Sequence, residues 1–227
     1  MRDPLWKFDS GLLDEFPVLC GVDEVGRGPL AGNVVAACVI LDFRAKPIVG
    51  LNDSKKLSPI VREKLFVEIR ERAVAFGVGE CSPGEIDKHN ILRASLLAMR
   101  RALEAMGVPP GLLLVDGNQR IPDVRWPQRT LVKGDGRSAS IAAASILAKV
   151  IRDRQMQEMH AQYPDYGFDC HKGYATLVHR RAIEKHGLTP IHRKSFCADP
   201  EEQEDLFGRE LFDPDRADVP NPGAGKL

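Results

Sequence analysis

The sequence predicts an α/β fold with a mixed, five-stranded sheet flanked by helices. Three observations predict it. Short apolar runs rich in β-branched residues, each bounded by glycine or proline, read as buried strands. Longer stretches with apolar residues at helical spacing are interleaved with them in the order β-β-α-β-α-β-β-α-α, which calls for a mixed sheet covered by helices. The chain has 227 residues, 43% of them hydrophobic and 28% charged, enough for one well-packed domain with an appendage.

Val18 to Val25, between Pro17 and Gly26, is the first strand, and Asn33 to Leu41 the second. The Gly- and Pro-containing loop between them predicts a hairpin. Ser58 opens a helix with Pro59 in its first turn and Leu65, Ile69 and Ala73 on one face. Val74 to Glu80 is a third strand. A helical stretch begins at Ser82-Pro83, runs through Ile91, Leu92, Ser95, Leu96 and Met99, and stops near Gly107 to Pro110. Gly111 to Asp116 is a strand ending on an acid, and Arg129 to Lys133 another. A long helix follows from about Ser138 to Gln162, its run Ala142-Ala143-Ala144-Ser145 small enough to lie close to the sheet. Gly173 to Lys185 is the last helix, stopped by Gly187.

Net charge is zero, but unevenly spread. Residues 199–227 hold nine acidic residues against Arg209, Arg216 and Lys226, so this acidic, flexible tail is −6 and the body +6. A modestly basic body suits a polyanionic partner. No apolar run is long enough to span a bilayer, and the first ten residues lack the basic-then-apolar order of a secretion signal, so a cytoplasmic protein is expected. Cys20, Cys38, Cys81, Cys170 and Cys197 are odd in number and widely spaced, with no C-x-x-C pair. They read as small hydrophobes in a reducing compartment.

Four acids stand at strand ends or helix starts. Asp23 and Glu24 precede Gly26-Arg27-Gly28, Asp116 ends its strand, and Asp135 lies just before the long helix. Acids so placed can converge on one sheet edge, where hard oxygen donors suit Mg²⁺ or Mn²⁺. Two such ions about 4 Å apart can activate a water and stabilise the leaving oxygen of a phosphodiester. Each acid alone has a plainer reading as a turn or cap residue. Asp23 and Glu24, as strand neighbours, point to opposite faces unless the strand ends or bends at Val25-Gly26. Asp153 lies about 27 Å beyond Asp135 along an unbroken helix, so it is assigned to local pairing within Arg152-Asp153-Arg154.

Together these segments resemble bacterial ribonuclease HII, a type 2 ribonuclease H. The resemblance rests on Gly21 to Gly32 (GVDEVGRGPLAG), then Asp53 to Leu57 (DSKKL), Val115-Asp116-Gly117-Asn118, Lys133-Gly134-Asp135, Ala142 to Val150, His171-Lys172-Gly173-Tyr174 and Pro190-Ile191-His192-Arg193, in order, over about 17–198. It implies a ribonuclease H-like catalytic domain over 1–198, including its C-terminal helices, with the tail over 199–227. It implies hydrolysis of the RNA strand of RNA/DNA hybrids, and incision 5′ to a ribonucleotide in duplex DNA leaving 3′-hydroxyl and 5′-phosphate ends. It makes Asp23, Glu24, Asp116 and Asp135 the catalytic, metal-binding acids. It gives Gly26, Arg27 and Gly28 recognition of the ribose 2′-hydroxyl, and Tyr174 packing on the sugar at the RNA-to-DNA junction. Lys55, Lys56 and Arg193 become phosphate contacts. The family also implies a monomer. Asn33, where the family often has proline, and Gly136-Arg137, where it often has Ser-Lys, are departures that remove no acid.

Three rivals remain. A junction resolvase of the same fold would share the acids but not the Gly-Arg-Gly loop and Tyr174. A silent nucleic-acid-binding module would not need four acids. A zinc hydrolase is disfavoured because His89, His160, His171, His179, His186 and His192 show no H-E-x-x-H spacing, and His171 and His192 read as structural or substrate-side hydrogen-bonding residues. In the tail, Gln203-Glu204-Asp205-Leu206-Phe207 resembles the short bacterial motif that binds the replication sliding clamp. A plainer alternative is an amphipathic turn of Leu206, Phe207, Leu211 and Phe212 packed on the body, which is the more economical reading of a five-residue match.

Overall fold

The computed structural model describes residues 3–198. The chain divides into two units, Met1–Arg193 and Lys194–Leu227. Of the second, the described part is 194–198, which holds the short helix α8, Lys194–Cys197; the clamp-like segment 203–207 and the acidic tail lie outside the described residues.

The first unit contains α1 (Pro4–Ser10), β1 (Leu19–Val25), β2 (Val34–Leu41), α2 (Pro59–Arg72), β3 (Ala73–Cys81), α3 (Pro83–His89), α4 (Ile91–Met106), β4 (Leu112–Asp116), β5 (Gln128–Leu131), α5 (Ala139–Gln162), α6 (Phe168–His171) and α7 (Leu177–His186). The sheet has five strands in the order β3-β2-β1-β4-β5. β1 and β2 are antiparallel, as are β2 and β3, whereas β1-β4 and β4-β5 are parallel. The expected mixed sheet is therefore present. Among the described residues no helix is long and apolar enough to cross a membrane.

Helices cover both faces. On one, α5 and α2 pack on Val35, Ala37, Val39 and Leu41 of β2, through Ala142, Ala143, Ile146, Leu65, Phe66 and Ile69. On the other, α4 lies against β3 at Gly77 and Gly79, where an added methyl would stand 2.1 Å from the Ala102 carbonyl oxygen and 2.3 Å from that of Ala98. Cys20, Cys38 and Cys81 are buried as expected, and the Cys38 thiol reaches the Ala102 carbonyl at 3.2 Å. Cys170 departs from that reading, being exposed.

Several boundaries differ from expectation, each for a local reason. The helix expected from Ser82 to Gly107 is two helices. Asn90 breaks it with φ of 62° and caps α4, its Oδ1 accepting from Arg93 N at 3.0 Å. The last helix begins at Leu177, capped by the Thr176 hydroxyl, and Gly173 has φ of 85°; Tyr174 is consequently a loop residue. The helix α1 was not expected. It is held by Trp6, tilted against Phe43 at 4.7 Å between ring centroids, and by Asp9. Buried Asp9 Oδ2 accepts from Ser140 N and Oγ, both at 2.8 Å, at the start of α5. Burial raises this carboxyl to about 6.

Gly21 fixes the distance between sheet and α5. A methyl there would lie 2.1 Å from the Ser140 carbonyl carbon and 2.3 Å from Ile141 N, both backbone atoms that cannot step aside. Gly21→Ala should therefore destabilise by about 3 kcal/mol, lowering Tm by roughly 6–12 °C. Thermal unfolding followed by circular dichroism measures this, and an unchanged Tm would show that α5 is not seated on β1 so tightly.

Candidate active site

An open cleft lies where β1 and β4 end. It is lined by Asp23, Glu24, Val25, Gly26, Arg27, Gly28, Ser54, Lys55, Asp116, Asp135, Ser145, Lys149 and Tyr174. The sheet register explains the meeting of the acids. Val22 pairs with Val115 on parallel strands, so the next residues, Asp23 and Asp116, are neighbours on one face, about 4.8 Å apart by the strand spacing. That face is the one Gly21 turns toward α5.

Glu24 should point to the other face, and β1 does continue to Val25. But β4 stops at Asp116, so the strand edge beside Glu24 is open and a long side chain can reach round it. The strand ends where Gly26 adopts φ of 94°. Asp135 arrives from a tight turn, Gly134–Gly136, entered through Lys133 with φ of 55°. Gly134 N donates to Asp116 Oδ1 at 2.6 Å, so one carboxylate anchors the turn that carries the next.

Burial dominates the electrostatics. It raises the Asp23 carboxyl well above its ordinary range, and the charges of Glu24 and Asp116 push the same way. Glu24 is raised chiefly by burial, against the pull of the Arg27 guanidinium 3.3 Å from its Oε1. Asp135 is raised by burial, then by Asp53 and Asp116. Such a set repels itself and calls for a cation. Its donors are all hard oxygens, the set that suits Mg²⁺ or Mn²⁺. Among the described residues no three His, Cys, Asp or Glu side chains stand so as to hold a metal ion by themselves; Mg²⁺ ordinarily takes one or two carboxylates and completes its shell with water and substrate phosphate.

Of the other expected contacts, Gly26, Arg27, Gly28, Lys55 and Tyr174 line the cleft, and Lys56 does not. Tyr174 is 41% exposed, and its ring edge would be 3.8 Å from a methyl on Gly28. Arg193 requires a correction. Its side chain is fully buried, and the guanidinium donates to the carbonyls of Gly26 at 2.6 Å, Arg27 at 2.9 Å and Gly32 at 2.8 and 3.0 Å. A group so engaged cannot meet a phosphate, and it holds the Gly-Arg-Gly loop instead. Arg152 of α5, also fully buried, donates to the carbonyls of Ala31, Asn33 and Lys172 at 3.0–3.1 Å, tying the end of the β1–β2 loop to the segment before Tyr174.

Asp153 is distant from Asp135 on an unbroken α5, as expected, but its partners are Lys149 at 2.7 Å and Arg62 at 3.7 Å rather than the adjacent arginines. Lys149, Ser54 and Ser145 are cleft residues that sequence reasoning passed over, and Lys149 is the charged one. It follows Ser145 by one helical turn on the face that Gly21 admits, and burial lowers its amine.

A family model described as Ribonuclease HII matches residues 20–199. The ribonuclease HII of Dechloromonas aromatica (strain RCB) is 59% identical over 179 residues, spanning 79% of this chain and 90% of that protein. Among solved structures, the ribonuclease H2 from Pyrococcus horikoshii OT3 matches with a TM-score of 0.70 at 26% identity, covering 83% of this chain and 98% of that one. A chain of the PCNA:RNase HII complex from Archaeoglobus fulgidus matches with a TM-score of 0.64 at 26% identity, covering 83% and 99%.

A carboxyl raised on folding destabilises the native state while ionised, and this cost disappears as pH falls toward its unfolded value near 4. Asp23→Asn should therefore raise the Tm of the metal-free protein at pH 7.5. The gap should narrow as pH is lowered toward 4, and the Tm gain on adding Mg²⁺ should be smaller than in the wild type. Scanning calorimetry with chelator reads this; a variant less stable than wild type at pH 7.5 would contradict it.

Proposed function

The chain belongs to the ribonuclease HII family of endoribonucleases, and from that membership we propose that it hydrolyses the RNA strand of RNA/DNA hybrids and incises 5′ to ribonucleotides embedded in duplex DNA. The products would carry 3′-hydroxyl and 5′-phosphate ends. One arrangement supports the reading: the carboxylates of Asp23, Glu24, Asp116 and Asp135 share a cleft with the Gly26-Arg27-Gly28 loop and the Tyr174 ring.

We assign those four acids to hold two divalent ions, Mg²⁺ or Mn²⁺. Bound there, the ions would supply the charge that activates water and stabilises the leaving oxygen. The chain's own groups select and align the strand. Gly28 presents backbone with no side chain, so a ribose can approach closely enough for its 2′-hydroxyl to be read. The Tyr174 ring stacks on the adjoining sugar. Lys55 and Lys149 bring positive charge to the cleft and orient phosphate, while Asp153 steers the Lys149 amine.

A duplex carrying one labelled ribonucleotide, incubated with Mg²⁺, Mn²⁺ or chelator beside an all-DNA control, tests this. Cutting should occur only with metal, only 5′ to the ribonucleotide, and be lost in Asp23→Asn. Tyr174→Ala should weaken cutting of the single-ribonucleotide duplex. Failure to cut this duplex or a hybrid, with metal bound, would sink the substrate reading.

A second partner, a sliding clamp, is supported by the solved relative in complex with PCNA and by the segment Gln203 to Phe207. Capture by an immobilised bacterial clamp should be lost on Leu206→Ala with Phe207→Ala. No capture of the intact protein would leave the plainer reading of that segment.

A further inference from the structure

Behind Tyr174 lies a group of buried imidazoles that the chemistry above does not use. His179 on α7 is fully buried and His192 is 3% exposed. Their Nε2 atoms are 3.0 Å apart. His192 Nδ1 receives the Thr189 backbone N–H at 2.9 Å, and His179 Nδ1 lies 2.9 Å from the Tyr174 carbonyl.

The two ends fix the tautomers. A backbone N–H only donates, so His192 Nδ1 carries a lone pair and its proton is on Nε2. A carbonyl only accepts, so His179 Nδ1 carries the proton and its Nε2 a lone pair. The Nε2 atoms then match as one donor and one acceptor. The chain reads in one direction, from Thr189 N–H through His192 and His179 to the Tyr174 carbonyl. A proton added to either ring would set N–H against N–H.

We propose that this relay is a positioning device for ribose recognition: His192 and His179 pin the Tyr174 backbone so that its ring stands over Gly28. The proposal rests on the reading of Tyr174 given above. The Tyr174 carbonyl also accepts from Thr176 N at 2.8 Å, and Tyr174 N donates to His171 O at 2.9 Å, so the residue is held from three sides. The next residue along the chain from His192 is Arg193, which grips the carbonyls of Gly26, Arg27 and Gly32. One dipeptide thereby sets both walls of the sugar site, the ring and the glycine loop. The surroundings keep the pair neutral. His192 is lowered to about 4, first by burial and then by His179, and His179 is lowered chiefly by burial. The titratable groups facing them are His171, stacked on His179 at 4.5 Å, Tyr166, whose ring is 5.3 Å from His192, and Arg180 on α7.

Two measurements decide it. In ¹⁵N-labelled wild type at pH 7, imidazole nitrogen shifts should show His192 protonated at Nε2 and His179 at Nδ1, with the His192 ring still neutral at pH 5.5. The opposite tautomers, or a charged ring at pH 7, overturn the relay. Second, on the single-ribonucleotide duplex, His192→Leu should lower kcat/KM roughly 10-fold. His192→Gln, which returns an N–H toward His179, should recover most of it. In a Tyr174→Ala background His192→Leu should cost nothing further, because its effect runs through that ring. An equal loss in both backgrounds means a merely structural role and overturns the proposal. Full activity of Tyr174→Ala would fail the reading of Tyr174 itself, whatever the tautomers. Should His192→Leu not fold, His192→Gln set beside its double variant with Tyr174→Ala reads the same coupling.

Discussion

At Gly21 the backbone of α5 rests on the backbone of β1, with no side chain between them. The cleft groups carried by β1 and α5 take their positions from that contact. It sets Asp23, two residues on, beneath Ser145, one turn on in the helix. It aims Lys149 into the cleft and Arg152 past it, into the carbonyls of the loop. Helix and strand thus act as one rigid part, the kind of support that holds reacting groups to a fraction of an ångström. The in-register meeting of Asp23 with Asp116 gives the other half of the frame, from the sheet alone.

The site concentrates negative charge where burial makes it costly, and Arg27, Lys55 and Lys149 in the same cleft offset it only in part, because Asp23, Glu24 and Asp135 are still raised. Arg152 and Arg193 are fully buried yet bind carbonyls rather than carboxylates. Glu24 has Arg27, but that arginine is largely exposed. The carboxylates are left short of counter-charge, the condition that favours a cation among them.

Much of this was legible in the sequence. Strands β1 to β4 are legible as short apolar runs, β2 the one richest in β-branched residues and β4 closing on an acid. The four acids were conspicuous from their places at strand ends, and the resemblance gave them a common purpose. What escaped reading shares one cause, long-range burial. The resemblance makes Arg193 a phosphate contact, and taken alone it reads as a solvated surface charge; nothing local says that it inserts beneath a loop 166 residues earlier. The pairing of His179 with His192 is invisible for the same reason. Tyr174 read as helical because Gly173 was taken inside the helix rather than as its left-handed approach. The helix α1 is short, and its place is decided by Trp6 and Asp9 finding partners far along the chain.

The order in which these parts are made carries a consequence for the newborn chain. β1 and the glycine loop leave the ribosome early, but the guanidinium that grips the loop belongs to residue 193 and the imidazole behind Tyr174 to residue 192. Until that dipeptide emerges, the loop has no clamp from the C-terminal side and the tyrosine no pin. The wall of the cleft formed by Gly26 to Gly28 is therefore completed late in synthesis, and a nascent or truncated polypeptide lacking these two residues would carry its acids beside an unclamped loop.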